Sequence, residues 1–144
     1  MNYQIKIPSC IYGGEGSIQN IKTVIEQENV KKAVIFTDKG IKSTGLLDIL
    51  LEMLKEIQTE YEVFDDLTPE PAYQDIERVM KQVEGCKGDI IIAIGGGSVM
   101  DAAKLCSVLK DADYTVKDLL QNPTLAKKQI KAVMIPTTCG TGSE

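Results

Sequence analysis

The chain has 144 residues, of which 43% are hydrophobic and 26% are charged, and its formal net charge is −5. This length suits one globular domain with its own core, and the acidic balance argues against a nucleic-acid or membrane-surface role. No apolar run reaches the roughly 20 residues that a membrane helix needs, and the first residues lack the apolar centre of a signal peptide. We therefore expect a cytoplasmic protein.

Two residue counts limit the chemistry of the chain. Its four cysteines, Cys10, Cys86, Cys106 and Cys139, form no CxxC pair, so neither a zinc knuckle nor a redox motif is supported. The chain has no histidine, which is the commonest transition-metal ligand and the usual general base. A metal site with histidine ligands cannot be built from these residues, and we predict neither a metal ligand nor a catalytic residue.

The amino-terminal segment predicts a short edge strand or hairpin followed by a helix. Residues 3–7 alternate polar and apolar side chains, as edge strands do, and residues 11–12 are expected to return beside them. Glycines in residues 13–16 predict a loop, and Ser17 is expected to cap the next helix. The apolar face of that helix is Ile18, Ile21, Val24 and Ile25.

From residue 32 onward, predicted strands alternate with predicted helices. The predicted strands are residues 32–37, 61–64, 89–94 and 130–135, and the predicted helices are residues 46–57, 73–83 and 116–120, with one more after the glycines at 95–97. Continuous apolar runs are typical of parallel strands that are buried on both faces. The pattern predicts an α/β fold, a mostly parallel, Rossmann-like sheet with helices on both faces.

A glycine triplet, Gly95, Gly96 and Gly97, stands where a predicted strand ends and a predicted helix begins. Glycine permits a sharp turn and a close approach of a ligand, and a helix N-terminus favours an anion. The turn therefore predicts a phosphate-binding site. The alternative is a plain strand-to-helix turn in which Ser98 is an ordinary N-cap. The segment matches neither GxGxxG nor a P-loop.

A second donor-rich segment, residues 136–144, follows the last predicted strand with the sequence PTTCGTGSE. Open α/β sheets bind ligands at the carboxyl ends of their strands, so two such loops together favour a nucleotide cleft. Asp38 follows another predicted strand. Its carboxylate is suited to binding ribose hydroxyls and repelling a 2′-phosphate, and the alternative is a cap for the next helix.

Residues 95–104 (GGGSVMDAAK) and 136–144, in this order, resemble the signatures of the iron-containing alcohol dehydrogenases, and Pro8-Ser9 with residues 13–17 resemble the opening of that family. The resemblance implies that residues 1–144 are the N-terminal dinucleotide-binding domain, without the helical metal-binding domain of the family. It implies NAD(P)-dependent hydride transfer between an alcohol and its aldehyde or ketone. In the family, one Asp and three His of the second domain hold divalent iron or another divalent metal.

The resemblance also implies roles for residues of this chain. Asp38 favours NAD over NADP, although Lys39 and Lys42 can weaken that preference. The loop at residues 67–71 is implied to border the adenine, with Glu70 where many relatives carry Asn. The implied cofactor-binding residues are Asp38, Gly95, Gly96, Gly97, Ser98, Asp101, Thr137, Thr138 and Thr141.

Other interpretations stay open at this point. One is a non-catalytic dinucleotide-binding or regulatory module, and another is a relative of glycerol dehydrogenase or dehydroquinate synthase, which the segment at 136–144 fits less well. The expected partners are a dinucleotide and, in a longer parent enzyme, a small alcohol or aldehyde, with a homodimer as a further expectation. We expect the 144-residue chain alone to be inactive.

Overall fold

The computed structural model describes residues 8–67 and 73–143, which form strands, helices and two short 3-10 turns. The strands are β1 (Lys32–Phe36), β2 (Glu60–Phe64), β3 (Ile90–Gly95) and β4 (Lys131–Pro136). The helices are α1 (Asn20–Gln27), α2 (Lys39–Ser43), α3 (Leu46–Glu56), α4 (Tyr73–Glu84), α5 (Gly97–Leu109) and α6 (Val116–Gln121). The 3-10 turns are Ser17–Gln19 and Pro123–Leu125.

The four strands form one sheet in the order β2-β1-β3-β4, and all three neighbouring pairs are parallel. In the pairing of β1 with β3, Phe36 lies opposite Ala93. In the pairing of β3 with β4, Gly95 lies opposite Pro136. The loops that follow β1, β3 and β4 therefore leave the same edge of the sheet side by side.

Helices cover both faces of the sheet with their apolar sides. One face packs against α4, α5 and α6, and the other packs against α1 and α3. Strand β3 serves both faces, because side chains alternate along a strand: Ile91 and Ala93 belong to the first core, and Ile90, Ile92 and Ile94 to the second. This two-sided burial is the reason that β3 is an unbroken apolar run.

The strand order creates a crevice between β1 and β3. The helices that follow β1 pack on one face of the sheet, whereas α5, which follows β3, packs on the opposite face. The two connections diverge from adjacent strands, so the carboxyl ends of β1 and β3 form the topological switch point where open α/β sheets bind their ligands. The loops that carry Asp38 and the glycine triplet both begin there.

The structure confirms the predicted parallel α/β fold with helices on both faces and corrects details at its amino-terminal end. The strand expected at residues 3–7 lies outside the described residues. The returning strand expected at residues 11–12 is wrong, because Ile11 and Tyr12 are outside any strand and 76% and 45% exposed. Ser17 does not cap α1: Gly16 precedes the 3-10 turn in a left-handed conformation, and Gln19 is the N-cap of the α-helix.

Among the residues that the structure describes, no helix is both long and apolar enough to cross a membrane.

Candidate functional site

The glycine triplet forms the junction between β3 and α5. Gly95 ends the strand, Gly96 is the N-cap with an extended backbone (φ −81°, ψ −172°), and α5 begins at Gly97. The carbonyl oxygen of Gly96 accepts hydrogen bonds from the backbone N–H groups of Val99 and Met100, both at 3.1 Å. Ser98 therefore lies inside the first helical turn, and the interpretation of Ser98 as the N-cap is wrong.

The segment after β4, which we call the threonine loop (residues 137–143), packs directly on the glycine junction. The backbone N–H of Thr137 donates to the carbonyl oxygen of Gly95 at 3.0 Å. A Cβ atom added to Gly96 would lie 3.3 Å from Thr138 Oγ1, and one added to Gly97 would lie 3.1 Å from Thr141 Cβ. Because two consecutive glycines face the loop at these distances, the absence of side chains is what lets the two motifs meet.

A lysine of α5 holds the far end of the threonine loop. Lys104 Nζ donates a hydrogen bond to the carbonyl oxygen of Ser143. Ser143 is buried, and its N–H donates to Thr141 Oγ1 at 3.3 Å. Asp101 stands three residues before Lys104 and is exposed on α5, and the ammonium group of Lys104 contacts the loop. The lysine thus joins the helix to the loop that covers its first turn.

The junction and the loop together present a set of hydrogen-bond donors. Thr137, Thr138 and Thr141 are exposed, and Gly96 and Gly97 beneath them are half-buried. The first N–H groups of an α-helix have no acceptor within the helix, and the dipole of the 13-residue α5 favours negative charge at this end. Backbone amides, hydroxyl groups and a cleft floor without side chains match the requirements of a pyrophosphate.

Asp38 lies at the end of the neighbouring strand. Phe36 of β1 is paired with Ala93 of β3. Asp38 and Gly95 each lie two residues further along the chain, so they are at the same level of the sheet edge. The Oδ1 atom of Asp38 accepts a hydrogen bond from the N–H of Ile41 at 2.9 Å and so caps α2. Asp38 is therefore the N-cap of α2, as the alternative interpretation predicted. The contact with the ribose stays a prediction, and it depends on the other carboxylate oxygen.

Thr37, which sequence reasoning treated only as the end of a strand, carries a buried polar group at the same edge. Its side chain is fully buried, and its hydroxyl oxygen has no hydrogen-bond partner. Its backbone N–H donates to the carbonyl oxygen of Phe64 at 3.0 Å, which extends the pairing of β1 with β2. The one signal in the sequence was a hydroxyl residue closing an otherwise apolar run.

Beside Asp38, ion pairs join α2 and α4 to the two acids that follow β2. Lys42 Nζ lies 2.6 Å from Asp65 Oδ2, and Lys39 Nζ lies 3.9 Å from Asp66 Oδ1. Arg78 of α4 also contacts Asp66, with Nη1 at 2.7 Å from Oδ2. Neighbouring Lys42 lowers the pKa of the Asp65 carboxyl below its usual range. The sequence alone does not predict these contacts, because pairs between distant segments leave no local pattern.

The part of the chain at residues 8–67 and 73–143 contains no group of three or more His, Cys, Asp or Glu side chains that could hold a metal ion. These residues therefore do not fit the divalent metal that the resemblance implies for a longer parent. Among the thiols, burial raises the pKa of Cys106 to about 12. Cys139, in the threonine loop, is exposed.

Comparisons with known proteins agree with this arrangement. The family model for iron-containing alcohol dehydrogenase matches residues 8–144. Long-chain-alcohol dehydrogenase 1 of Geobacillus thermodenitrificans (strain NG80-2) is 33% identical over 144 residues, which cover 98% of this chain and 36% of the relative. NAD-dependent methanol dehydrogenase of Bacillus methanolicus is 33% identical over 141 residues, which cover 96% of this chain and 36% of the relative.

A solved structure gives the same result. The crystal structure of sulfoacetaldehyde reductase from Bifidobacterium kashiwanohense in complex with NAD+ matches with a TM-score of 0.85 and 25% identity, over 100% of this chain and 38% of that one. This chain thus spans little more than a third of the length of these relatives. The family match over nearly all of the chain confirms the resemblance carried by the glycine and threonine motifs: the chain belongs to the iron-containing alcohol dehydrogenase family.

Proposed function

We propose that this chain is the N-terminal dinucleotide-binding domain of an NAD-dependent dehydrogenase that interconverts an alcohol and its aldehyde or ketone. The observation that carries the proposal is the packing of the threonine loop on the glycine junction at the switch point between β1 and β3. It joins a helix N-terminus, exposed hydroxyl groups and a floor without side chains in one crevice. The printed names of an NAD-dependent relative and of a neighbour solved with NAD+ support the choice of cofactor.

In this proposal the pyrophosphate lies against the backbone of Gly95, Gly96, Gly97 and Ser98, where the dipole of α5 stabilises its negative charge. Thr137, Thr138 and Thr141 donate hydroxyl hydrogen bonds from the facing loop. Asp101 lies one turn further along α5 and is exposed, and its place beside the bound cofactor stays a prediction from the family resemblance. No proton transfer is assigned to any of these groups.

Asp38 selects the cofactor in this proposal. Its Oδ1 atom already caps α2, and the remaining carboxylate oxygen accepts hydrogen bonds from the adenosine ribose hydroxyls. A carboxylate at this point opposes the 2′-phosphate of NADP, so NAD is preferred. Glu70, expected to border the adenine, lies outside the described residues.

The bound dinucleotide supplies the hydride donor or acceptor of the reaction. The residues described here bind and orient it, and the family's divalent metal belongs to a part of the longer enzyme that this chain does not include. We therefore propose that the chain binds the dinucleotide without turning over alcohol by itself. A cytoplasmic location and a homodimer stay predictions from the sequence.

The proposal is tested by titrating the purified chain with NADH and with NADPH, following NADH fluorescence and the heat of binding. The wild type is expected to bind NADH more tightly than NADPH, by about tenfold if one charge repulsion of about 1.4 kcal/mol separates the two ligands. Asp38→Asn keeps a side-chain oxygen for the α2 cap but removes the charge, and Asp38→Gly removes both. Each is expected to reduce the preference.

Failure of the wild-type chain to bind either dinucleotide at millimolar concentration, with its circular dichroism intact, would contradict the proposal. Binding with the same NADH-to-NADPH ratio in the wild type and in both Asp38 variants would contradict only the role of Asp38. Turnover is measured separately, on a parent polypeptide that includes the remaining length of the relatives.

A further inference from the structure

Two acids at the end of β2, which we call the acidic pair (Asp65 and Asp66), hold the two lysines of α2. Lys42 Nζ lies 2.6 Å from Asp65 Oδ2, and Asp65 is the less exposed partner, with 28% of its side chain in solvent. Lys39 Nζ lies 3.9 Å from Asp66 Oδ1, with both side chains largely exposed. The first contact is a close ion pair, and the second is a looser electrostatic neighbour.

The backbone explains how the acids that follow β2 reach the lysines of α2. The N–H of Thr37 donates to the carbonyl oxygen of Phe64, and an isolated antiparallel bridge joins Asp38 to Asp66. The ends of β1 and β2 therefore stay together beyond the regular sheet. Arg78 fixes the acidic pair from the other side, because its Nη2 also donates to the carbonyl oxygen of Asp66 at 3.2 Å.

These contacts decide the charge that a ligand meets beside Asp38. Lys39 and Lys42 lie one and four residues after Asp38 on the helix that Asp38 caps. Without partners, two ammonium groups in these positions would attract a 2′-phosphate and offset the repulsion from Asp38. With a carboxylate at 2.6 Å, the attraction exerted by Lys42 is strongly reduced. The attraction exerted by Lys39 is reduced less, because Asp66 lies 3.9 Å away and also pairs with Arg78. Lys42 lowers the pKa of Asp65, so this carboxyl stays ionised near neutral pH.

We propose that Asp65 and Asp66 are specificity-determining residues for the dinucleotide, and that they act through Lys39 and Lys42 rather than by touching the cofactor. By pairing with the two lysines they reduce the positive charge that would otherwise offset Asp38 at the ribose end of the crevice. This inference rests on the proposed function, because it requires the adenosine ribose to lie beside Asp38. It gives the acids of an exposed loop a role in excluding NADP.

The test compares NADH and NADPH titrations of the wild-type chain with those of the double variant Asp65→Asn/Asp66→Asn. The double variant is expected to bind NADPH about fivefold to tenfold more tightly, because the ammonium groups of Lys39 and Lys42 then attract the 2′-phosphate. Its affinity for NADH is expected to stay within about twofold of the wild type. Raising the salt to about 0.5 M is expected to reduce the gain, because the interaction is between exposed charges. A merely structural role of the acids would weaken both ligands alike.

Two further variants make the test specific. Asp111→Asn breaks the exposed ion pair with Lys110, just beyond the far end of α5, and is expected to change neither affinity. Adding Lys39→Gln and Lys42→Gln to the double variant is expected to restore the wild-type ratio. Lys42→Gln alone is expected to change NADPH affinity in the opposite direction. It leaves Asp65 without its partner, so NADPH binds more weakly than to the wild type.

The outcomes separate the inference from the function on which it rests. A wild-type chain that binds neither dinucleotide refutes the proposed function. A wild-type chain that prefers NADH, together with a folded double variant that keeps the wild-type ratio, refutes the inference alone. Should the double variant lose its circular dichroism signal, the single variant Asp65→Asn and the opposite shift expected of Lys42→Gln decide the question.

Discussion

The ammonium group of Lys104 and the carbonyl oxygen of Ser143 form a hydrogen bond between residues 39 positions apart in the chain. Lys104 lies on α5, and Ser143 closes the threonine loop. The bond therefore ties the helix that begins at the glycine junction to the loop that faces it. It makes the position of the hydroxyl groups depend on a residue two turns away from the junction.

Replacing Lys104 with Met is expected to weaken dinucleotide binding about tenfold, because a hydrogen bond to a charged group contributes about 1.5–3 kcal/mol and the loop loses its anchor. Titration with NADH measures the effect. Lys104→Arg keeps a charged donor and is expected to retain part of the affinity. Unchanged binding by Lys104→Met would show that the loop keeps its place without the lysine.

Gly97→Ala tests the close contact between the junction and the loop. The new Cβ would lie 3.1 Å from Thr141 Cβ and 3.2 Å from Ser143 Oγ, so the loop must move outward. We expect NADH affinity to fall about tenfold while the free energy of unfolding changes by less than about 1 kcal/mol, since alanine favours the helix by a similar amount.

The matched control for this variant is Gly85→Ala, where the nearest atom to the added Cβ is the carbonyl oxygen of Gln82 at 3.6 Å. This variant adds the same methyl group far from the crevice and is expected to leave NADH affinity unchanged. Equal affinities for Gly97→Ala and Gly85→Ala would contradict the importance of the contact.

Thr37→Val is expected to leave the chain as stable as the wild type, or up to about 1 kcal/mol more stable, because it replaces an unpaired buried hydroxyl with a methyl group of similar size. Thr37→Ser keeps the hydroxyl and removes the methyl, so it is expected to cost about 1 kcal/mol. Urea denaturation measures both. A loss of more than 1 kcal/mol in Thr37→Val would mean that the hydroxyl has a partner in solution.

The hydrogen-bonded carboxylate of Asp89 predicts that the free energy of unfolding depends on pH. It accepts hydrogen bonds from the backbone N–H groups of Lys32 at 3.0 Å and Lys31 at 2.8 Å, and these bonds lower its pKa from the ordinary 3.8. A depressed carboxyl pKa adds stability above the unfolded value and loses it as the pH falls through the folded value. We expect Asp89→Ala to lose about 1 kcal/mol at pH 7 and less at pH 2.

Asp89→Asn is the control for this pH effect, because it retains one acceptor oxygen without the charge. It is expected to fall between Asp89→Ala and the wild type at pH 7. A stability difference between wild type and Asp89→Ala that stays constant from pH 7 to pH 2 would rule out the ionised carboxylate as its source.

The four thiols are expected to fall into two classes. Cys10 and Cys139 are exposed, whereas Cys86 and Cys106 are buried, and burial raises the pKa of both buried thiols. A thiol reagent at pH 8 should label two cysteines quickly and the others only after unfolding. NADH is expected to slow the labelling of Cys139 but not of Cys10; equal rates with and without NADH would argue against a ligand beside the threonine loop.

The sheet could be predicted because its strands carry their own signal. Strand β3 is apolar throughout because both of its faces are buried, and such a run differs from an amphipathic helix in sequence. Its predicted range, 89–94, differs from the observed Ile90–Gly95 by one residue at each end. The glycine junction and the threonine loop could also be placed, because both follow strands of the same parallel sheet.

The errors concern contacts that propensity does not encode. Ser98 has the chemistry of an N-cap, but Gly96 takes that position, since the turn must leave space for Thr138. Lys104 has an acid three residues before it, yet it reaches a carbonyl group of the threonine loop. The acidic pair finds its partners on α2 and α4, segments distant in sequence, and the bridge between Asp38 and Asp66 holds it beside α2.

The strand order also determines when β1, an inner strand of the sheet, gains a neighbour on each edge during synthesis on the ribosome. Strand β1 needs both β2 and β3 beside it, and β3 is completed only at Gly95. At about 5–20 residues per second, several seconds pass between the translation of the two strands. Throughout that interval an apolar strand has an unpaired edge, which is the template that intermolecular aggregation uses. A nascent chain that stops before residue 90 therefore leaves one edge of β1 open to pairing with another chain.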